Sequence, residues 1–254
     1  MSTEQPMMLL VRKLQTRVRL DRTDIVTVLE LPFAMRSYEA PGYLVREGAT
    51  SLQQCSFIRS GFAFRQKLTI DGNRQIVGIC LPGDFIDLQH LFLNRADHTV
   101  QVLTRLETVD LGRSALRELA QTRPNIAKAL WIDTLIEASI HREWILNIGR
   151  RDGKQRIAHL LCEFALRMRE AGFESDAGYE FPMTQEQLGD AVGLTSVHVN
   201  RTLKALAANG IVQRNKGFLT FSDWKQIRAI GDFSALYLHL DQGGPEGVRA
   251  HERE

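Results

Sequence analysis

Residues 184–206 read TQEQLGDAVGLTSVHVNRTLKAL, two short amphipathic segments on either side of Gly193. Thr184 is a suitable helix N-cap, and Gln187 stands three positions later, which is the spacing of a capping box. Gly193 allows the tight turn that ends this first helix. Thr195 is then placed to cap a second helix. The order of helix, short glycine turn and helix predicts the helix-turn-helix layout.

The apolar positions of both segments predict which faces are buried. They are Leu188, Ala191 and Val192 in the first helix, and Val199, Leu203 and Leu206 in the second. Downstream, Asn209-Gly210 predicts the end of the second helix. Asn215-Lys216-Gly217 then predicts a turn between two short apolar strands. Residues 181–221 are therefore predicted to form a helix-turn-helix with a two-stranded wing.

Polar side chains cluster near the start of the second helix, at Ser196, His198, Asn200, Arg201 and Lys204. In helix-turn-helix domains this part enters the DNA major groove. Arg201 suits the O6 and N7 atoms of guanine, Asn200 suits adenine, and Lys204 suits a phosphate. Thr184 and Lys216 are further candidate contacts.

A polar outer face also occurs in helical domains that bind no nucleic acid, so the local charge has to be considered. Residues 195–228 carry six Lys or Arg residues against one acid, although the whole chain has a net charge of only +2. A basic patch of this kind is the electrostatic signature of a DNA-binding surface. The basic surplus and the wing together favour binding to double-stranded DNA.

Residues 31–120 have a different pattern, in which turn signals separate short alternating runs. The turn signals are Pro41-Gly42, Glu47-Gly48, Ser60-Gly61, Asp71-Gly72-Asn73 and Pro82-Gly83-Asp84. Short strands with frequent turns predict a small antiparallel β-roll of the jelly-roll kind. Residues 1–30 predict a helical lead-in, so the expected fold class is α+β.

A long helix is predicted from Pro124, because no glycine or proline interrupts the chain before Gly149. One seam of this helix has nearly coiled-coil spacing. It consists of Ala127, Thr134, Ala138, His141, Ile145 and Ile148, with Leu130 beside it. We expect this seam to form a homodimer interface; the alternative is a single buried helix.

Residues 149–153 contain two glycines around three charged residues, and they predict a hinge. The expected ranges are a lead-in at 1–30, a sensor β-roll at 31–120 and a dimerisation helix at 121–150. A winged helix-turn-helix follows at 151–225, and a C-terminal helix and disordered tail at 226–254.

Over residues 30–225 the chain resembles the Crp/Fnr family of bacterial regulators. The resemblance is carried by Glu47-Gly48, Pro82-Gly83-Asp84-Phe85, the helix from Pro124, Asp152 before Arg156-Ile157-Ala158, and Thr184 to Leu206. It implies a cyclic-nucleotide-binding-like β-roll, a dimerisation helix and a winged helix-turn-helix. It also implies a homodimer on a palindromic DNA site, with RNA polymerase as a partner.

The effector positions depart from the family's cyclic-AMP sensors. Those sensors have a Glu that holds the ribose and an Arg that neutralises the phosphate. The matching positions here are Asp87-Leu88-Gln89 and His98-Thr99. Leu88 cannot bond a ribose hydroxyl, and an imidazole is not a permanent cation at neutral pH. We therefore do not expect cyclic AMP as the effector, and the protein is expected to have an unknown effector or none.

Other cofactors are also constrained by the sequence. The first 50 residues contain no cysteine, which excludes the N-terminal iron–sulfur ligands of the family's oxygen sensors. His90 and His98 leave haem open as an alternative, because imidazole ligates haem iron. The candidate ligand pocket is Asp87, Leu88, Gln89, His90, His98, Thr99 and His141.

The sequence of the second helix, which is the recognition helix in this family, also departs from the family's pattern. Many members carry a cytosine-reading Glu where this chain has Val197, which could contact a thymine methyl. Arg201 matches the shared guanine-reading Arg. The resemblance therefore implies a DNA site that differs from those of the cyclic-AMP and oxygen-sensing groups.

Several other functions are disfavoured. A cupin-like metalloenzyme needs a His-x-His pair, and the β segment has only His90 and His98. No GxSxG, Walker A or GxGxxG motif occurs, so neither an enzyme nor a metal site is expected. A cyclic-nucleotide-gated adaptor without a DNA role would not need the winged segment.

The cysteines and the N-terminal segment indicate the compartment in which the protein is expected to lie. Cys55, Cys80 and Cys162 are widely spaced and are expected to be buried apolar residues. The apolar run Met7 to Val11 is too short to span a membrane. The expected compartment is the cytoplasm.

Overall fold

A computed structural model describes residues 5–50, 53–173, 178–215 and 217–240. The chain divides into two compact units. The first contains the described residues of 1–63, 80–139 and 238–240, and the second contains those of 64–79 and 140–237. Residues 64–79 of the β segment thus belong with the helix-turn-helix, a grouping that the sequence did not indicate.

The lead-in consists of two helices, α1 (Pro6–Gln15) and α2 (Arg22–Leu29). Asp21 caps α2, and its carboxylate accepts a hydrogen bond from the Asp24 backbone N–H at 2.7 Å. The apolar run that the sequence showed near the N-terminus forms the buried face of α1. Met7, Leu10, Val11 and Leu14 are each at most 2% exposed. This face packs in one core cluster with residues of a 3₁₀-helix, Leu88–Leu91, and with Ile126, Ala129 and Leu130.

Seven strands lie within residues 33–112 of the described chain, and the predicted turns separate the first five of them, which confirms an antiparallel β N-terminal region. They are β1 (Phe33–Tyr38), β2 (Tyr43–Val45), β3 (Gln54–Ser60), β4 (Ala63–Leu68), β5 (Arg74–Cys80), β6 (Thr99–Val102) and β7 (Leu106–Gly112). One antiparallel sheet has the order β1-β7-β3, β2 pairs with β6, and β4 and β5 form a hairpin. At Gly61 an added Cβ would lie 2.1 Å from the Arg105 carbonyl oxygen, so this turn requires glycine.

Helix α3 (Arg113–Thr122) leads into the long helix α4 (Pro124–Arg150), which has 27 residues. The expected five-residue hinge is wrong in extent, because Gly149 and Arg150 continue α4 and Gly153 begins α5 (Gly153–Glu170). Only Arg151 and Asp152 interrupt the helices. Asp152 accepts hydrogen bonds from the backbone N–H groups of α5, and this capping explains the sharp break.

The C-terminal region contains the predicted helix-turn-helix. Its elements are β8 (Tyr179–Glu180), α6 (Gln185–Val192), α7 (Ser196–Ala208), β9 (Val212–Asn215), β10 (Phe218–Phe221) and α8 (Trp224–Ile230). The two-stranded wing is a correction: the sheet has three strands in the order β8-β10-β9, because Tyr179 and Glu180 pair with Leu219 and Phe218. The expected disordered tail, residues 241–254, lies outside the described residues.

A buried polar network joins α4, α5 and the segment after α8. The Trp144 indole donates to both carboxylate oxygens of Glu163, at 3.1 and 3.0 Å, and the Tyr237 hydroxyl donates to one of them at 2.9 Å. Burial raises the pKa of both Glu163 and Tyr237. The network satisfies a carboxylate that is only 1% exposed, which makes it a well-defined anchor between these elements.

No helix among the described residues is long and apolar enough to cross a membrane.

Candidate nucleic-acid interface

The two helix starts of the helix-turn-helix are capped as the sequence predicted. The Thr184 hydroxyl accepts from the Gln187 N–H at 3.1 Å, and the Gln187 side chain accepts from the Thr184 N–H at 2.9 Å. Thr195 accepts from the His198 N–H at 3.3 Å. These caps fix where α6 and α7 begin, and therefore the register of the exposed side chains on α7.

The turn between α6 and α7 depends on two glycines. Gly193 has a left-handed backbone with φ of 67°, as its predicted role requires. Gly189 was missed: an added Cβ there would lie 2.4 Å from the Leu194 carbonyl oxygen. A glycine inside an otherwise helical pattern is the signal that could have found it.

The predicted buried faces are largely confirmed. Leu188, Ala191 and Val192 are at most 2% exposed, and Val199 and Leu206 are fully buried. Leu203 is an error, since it is only half-buried, and Thr202 is buried at 7% exposure instead. Steps of three and four residues from Val199 through Thr202 to Leu206 keep one helix face towards the core, and Leu203 lies at its margin.

Most of the predicted contact residues on α7 face solvent. Ser196, Val197, His198, Arg201 and Lys204 are exposed, and Val197 has 66% of its surface accessible. Arg201 and Lys204 make no side-chain hydrogen bond or ion pair with any part of the chain that the structure describes. Two cations and an apolar side chain are thus presented together near the start of a capped helix.

Two of the polar candidates, Asn200 and the exposed His198, also contact neighbouring helices. The Asn200 amide donates to Gln185 Oε1 at 2.9 Å, which joins α7 to the start of α6. The His198 ring lies against the start of α5, because a Cβ added at Gly153 would be 2.6 Å from its Nε2. Both contacts join residues that are far apart in sequence, so the periodicity of α7 could not reveal them.

Some basic residues of this region are exposed, and others contact the chain's own backbone or aromatic rings. Arg214 donates to the Met183 carbonyl oxygen at 2.7 Å and lies over the Phe181 ring, so it ties β9 to the loop before α6. Arg228 lies over the Phe233 ring. Lys216 falls outside the described residues. Arg201 and Lys204 are therefore the described cations of the recognition helix.

The residues of the predicted dimer seam of α4 differ in their exposure. Thr134 is exposed and Ile145 has 73% of its surface accessible, while Ala127, Ala138, His141 and Ile148 are half-buried. Leu130 is a correction: it is 5% exposed and packs in the chain's own core with α1.

Three large exposed apolar residues of α4 were missing from the predicted seam. Trp131, Leu135 and Leu146 are 65%, 57% and 44% exposed. The spacing of Trp131, Ala138 and Ile145 is the seven-residue repeat that could have identified the first of them. The outward stripe of α4 is thus rotated towards Trp131 and Leu135 relative to the seam read from the sequence.

The side chains of the candidate effector segment, Asp87 to His90, are largely buried by other parts of the chain. The Asp87 carboxylate accepts from the Ser56 N–H at 2.8 Å. Leu88 is 8% exposed and packs in the core cluster that contains the buried face of α1. Gln89 is half-buried and His90 is fully buried. Leu88 therefore contributes an apolar contact to the chain's own core.

The remaining pocket candidates have separate local partners. His98 Nδ1 lies 2.7 Å from an Asp97 carboxylate oxygen, and the Thr99 hydroxyl accepts from the Glu47 N–H at 3.0 Å. His141 belongs to the second unit. Its Nε2 would be 3.9 Å from a Cβ added at Gly78.

The possible metal ligands and the cysteines can be located in the structure. Within the described ranges, no group of three His, Cys, Asp or Glu side chains is arranged to hold a metal ion. All three cysteines are buried, as expected. Burial raises the pKa of the Cys55 and Cys162 thiols to about 12, which keeps both in the unreactive protonated form.

Comparison with known proteins gives consistent matches. A cyclic nucleotide-binding domain model matches residues 35–123, and a Crp-like helix-turn-helix domain model matches residues 155–230. The transcriptional activator protein FnrL of Cereibacter sphaeroides is 29% identical over 199 residues, which cover 76% of this chain and 78% of FnrL. The nitrogen fixation regulation protein FixK of Bradyrhizobium diazoefficiens is 26% identical over 65% of this chain and 68% of its own length. The solved structure of FixK2 from Bradyrhizobium japonicum has the same fold, with a TM-score of 0.72 at 23% identity over 79% of this chain and 98% of FixK2.

Proposed function

Because the chain belongs to the Crp/Fnr family of transcription regulators, we propose that it binds a palindromic DNA site as a homodimer. The observation that carries this proposal is the exposed start of α7, with Arg201 and Lys204 engaged by nothing in the described chain. In helix-turn-helix dimers, the two recognition helices enter successive major grooves about 34 Å apart, so a two-fold protein matches a palindrome.

Each exposed residue of α7 suits one kind of DNA contact. Arg201 suits two hydrogen bonds to guanine, and Val197 suits a thymine methyl. Ser196 suits either a base or the backbone, and Lys204 suits a phosphate, as do Thr184 and Lys216.

Asn200 and His198 suit a different role. A base contact by Asn200 would first break its hydrogen bond to Gln185, and one by His198 would remove its ring from Gly153. We therefore propose that these two residues hold α7 in place and that base reading is left to Ser196, Val197 and Arg201.

The experiment compares Arg201→Ala with Lys204→Ala on specific and non-specific duplexes at fixed salt, by fluorescence anisotropy. Arg201→Ala is expected to lose about 1–3 kcal/mol on the specific site and much less on random DNA. Lys204→Ala is the control, and it should weaken both complexes to a similar degree because a phosphate contact carries no sequence information. An equal loss on both duplexes for Arg201→Ala would contradict its base-reading role.

The homodimer proposal is supported by the apolar side chains that α4 leaves exposed. Trp131, Leu135 and Ile145 are each more than half exposed, and large apolar residues grouped on one helix usually mark an interface. A second copy of α4 would bury them in a coiled-coil seam. RNA polymerase is proposed as the further partner, by analogy with the family.

We propose that cyclic AMP is not the effector and that the dimer binds DNA without it. The packing of Leu88 against the core supports this, because a ribose hydroxyl would find no polar partner at that side chain. Saturating cyclic AMP is expected to leave the affinity for the selected DNA site unchanged. A tenfold gain in affinity would overturn the proposal.

The remaining assignments follow from a role on chromosomal DNA. We propose that the protein works in the cytoplasm, where bacterial DNA lies. Reading DNA and recruiting a partner need no bond-making step, so we assign no catalytic activity to the chain.

A further inference from the structure

The β4–β5 hairpin contacts the first helix of the helix-turn-helix directly. Arg74, the first residue of β5, donates from Nε to Asp190 Oδ2 at 2.6 Å, and its Nη2 lies 3.7 Å from Glu186 Oε1. The next residue, Gln75, donates from its side-chain amide to the Ala191 carbonyl oxygen at 3.3 Å. These residues belong to one compact unit, so the contact is part of its internal packing.

The geometry of Arg74 is that of a fixed contact and not of a loose surface pair. The side chains of Arg74 and Asp190 are 25% and 24% exposed, and the guanidinium lies over the Phe64 ring at 5.8 Å. A partly buried pair is screened less by salt than an exposed pair. Glu186 is 77% exposed, so its share in the contact is smaller.

The positions of the Glu186 and Asp190 carboxylates link the contact with Arg74 to DNA binding. Glu186 and Asp190 lie one helical turn apart on α6, and α6 is joined to the recognition helix through the Gln185–Asn200 hydrogen bond. Without a nearby cation, two carboxylates on α6 would repel the phosphates of a duplex held by α7. Arg74 offsets one of these two negative charges, chiefly that of Asp190, and fastens α6 to the hairpin.

We propose that Arg74 is a positioning residue for DNA recognition, which acts through Asp190 and Glu186 and touches no DNA itself. The contacts run from β5 to α6 and from α6 to α7, so the hairpin braces the recognition helix in the orientation that reads the site. This inference rests on the proposed function, since it concerns the strength of the specific complex.

The first test is Arg74→Ala, with affinity for the selected DNA site measured at fixed salt and thermal melting measured without DNA. The specific affinity is expected to fall about three- to tenfold, which corresponds to a partly buried ion pair together with restored repulsion. The matched control is Arg105→Ala. Arg105 also pairs with a carboxylate, Glu39 at 3.6 Å, but both side chains are at least 70% exposed and lie in the first unit. Equal affinities for the two variants would overturn the proposal.

The second test exchanges the charges of the pair. Arg74→Glu alone should bind more weakly than Arg74→Ala, and adding Asp190→Arg should recover most of the affinity because the exchange restores the pair and the net charge. The new Arg would also face Glu186 at the favourable i, i+4 spacing. A double variant that melts like the wild type but binds as weakly as Arg74→Glu would refute the pairing. If Arg74→Glu does not fold, Arg74→Lys and Arg74→Gln decide. Arg74→Lys keeps the charge but loses the guanidinium over the Phe64 ring, so its affinity is expected to lie between those of the wild type and Arg74→Ala, whereas Arg74→Gln should resemble Arg74→Ala. Equal affinities for Arg74→Lys and Arg74→Gln would refute the pairing.

Failure of this inference can be told apart from failure of the proposed function. If the wild-type protein selects no DNA site, the proposed function itself is contradicted before any variant is compared. If the wild-type protein selects a site and Arg74→Ala binds it equally well, only the positioning role of Arg74 is contradicted.

Discussion

Ile145→Asp tests the dimer seam at its most exposed large residue. Ile145 leaves 73% of its surface accessible on α4. Fully burying such a side chain contributes about 1.5–3 kcal/mol, so its exposed part is worth roughly 1–2 kcal/mol per copy. A two-fold interface contains the residue twice, which gives about 2–4 kcal/mol. The dimer dissociation constant should therefore rise by roughly 30-fold to 1,000-fold.

The assay is sedimentation over a range of protein concentrations, with Ile70→Asp as the matched control. Ile70 is also an isoleucine, and it is fully exposed in the turn between β4 and β5, so the change in charge and size is identical. Ile145→Asp should be monomeric at concentrations where the wild type and Ile70→Asp are dimers. Its melting temperature as a monomer should change little, because the side chain is mostly outside the chain's own core. Dimerisation as strong as that of the control would refute the seam.

Two further predictions concern stability. Gly189→Ala would place a Cβ 2.4 Å from the Leu194 backbone carbonyl oxygen, which cannot move without opening the turn. We expect the free energy of unfolding, measured with denaturant, to fall by about 2 kcal/mol or more, and DNA binding to weaken. An unchanged free energy of unfolding would contradict the close approach. Burial lowers the pKa of His159 from 6.5 to about 4 in the folded protein. Below pH 6.5 the unfolded chain therefore binds this proton first, so the free energy of unfolding contributed by His159 should fall by up to about 1.4 kcal/mol per pH unit until pH reaches about 4. Comparing wild type with His159→Gln isolates this contribution, and parallel stability curves from pH 7 to pH 4 would count against it.

Local signals made much of the fold predictable. The capping residues Thr184, Thr195 and Asp152 act within three residues of their partners, and the glycine turns act within a single residue, so short stretches of sequence determine them. The third strand of the wing sheet was not predictable in this way, because β8 has only two residues and pairs with a strand nearly 40 positions later.

The orientation of α4 illustrates a second limit. Heptad spacing shows that the helix has an apolar seam, but it does not show which of several apolar stripes meets the chain's own core. Packing against α1 buries Leu130 and leaves Trp131 outside, and this choice depends on residues more than 100 positions apart in sequence. The same limit hid the Arg74–Asp190 pair, whose members are 116 positions apart.

Selection of bound duplexes from a random DNA library, with the ligand-free wild-type protein at fixed salt, tests the central claim most directly. The account predicts a sharp palindromic motif with half-sites one helical turn apart, and a guanine position that loses its preference when Arg201 is replaced by Ala. No enriched motif, either with purified protein or in the presence of cell extract, would contradict the claim that this chain reads DNA.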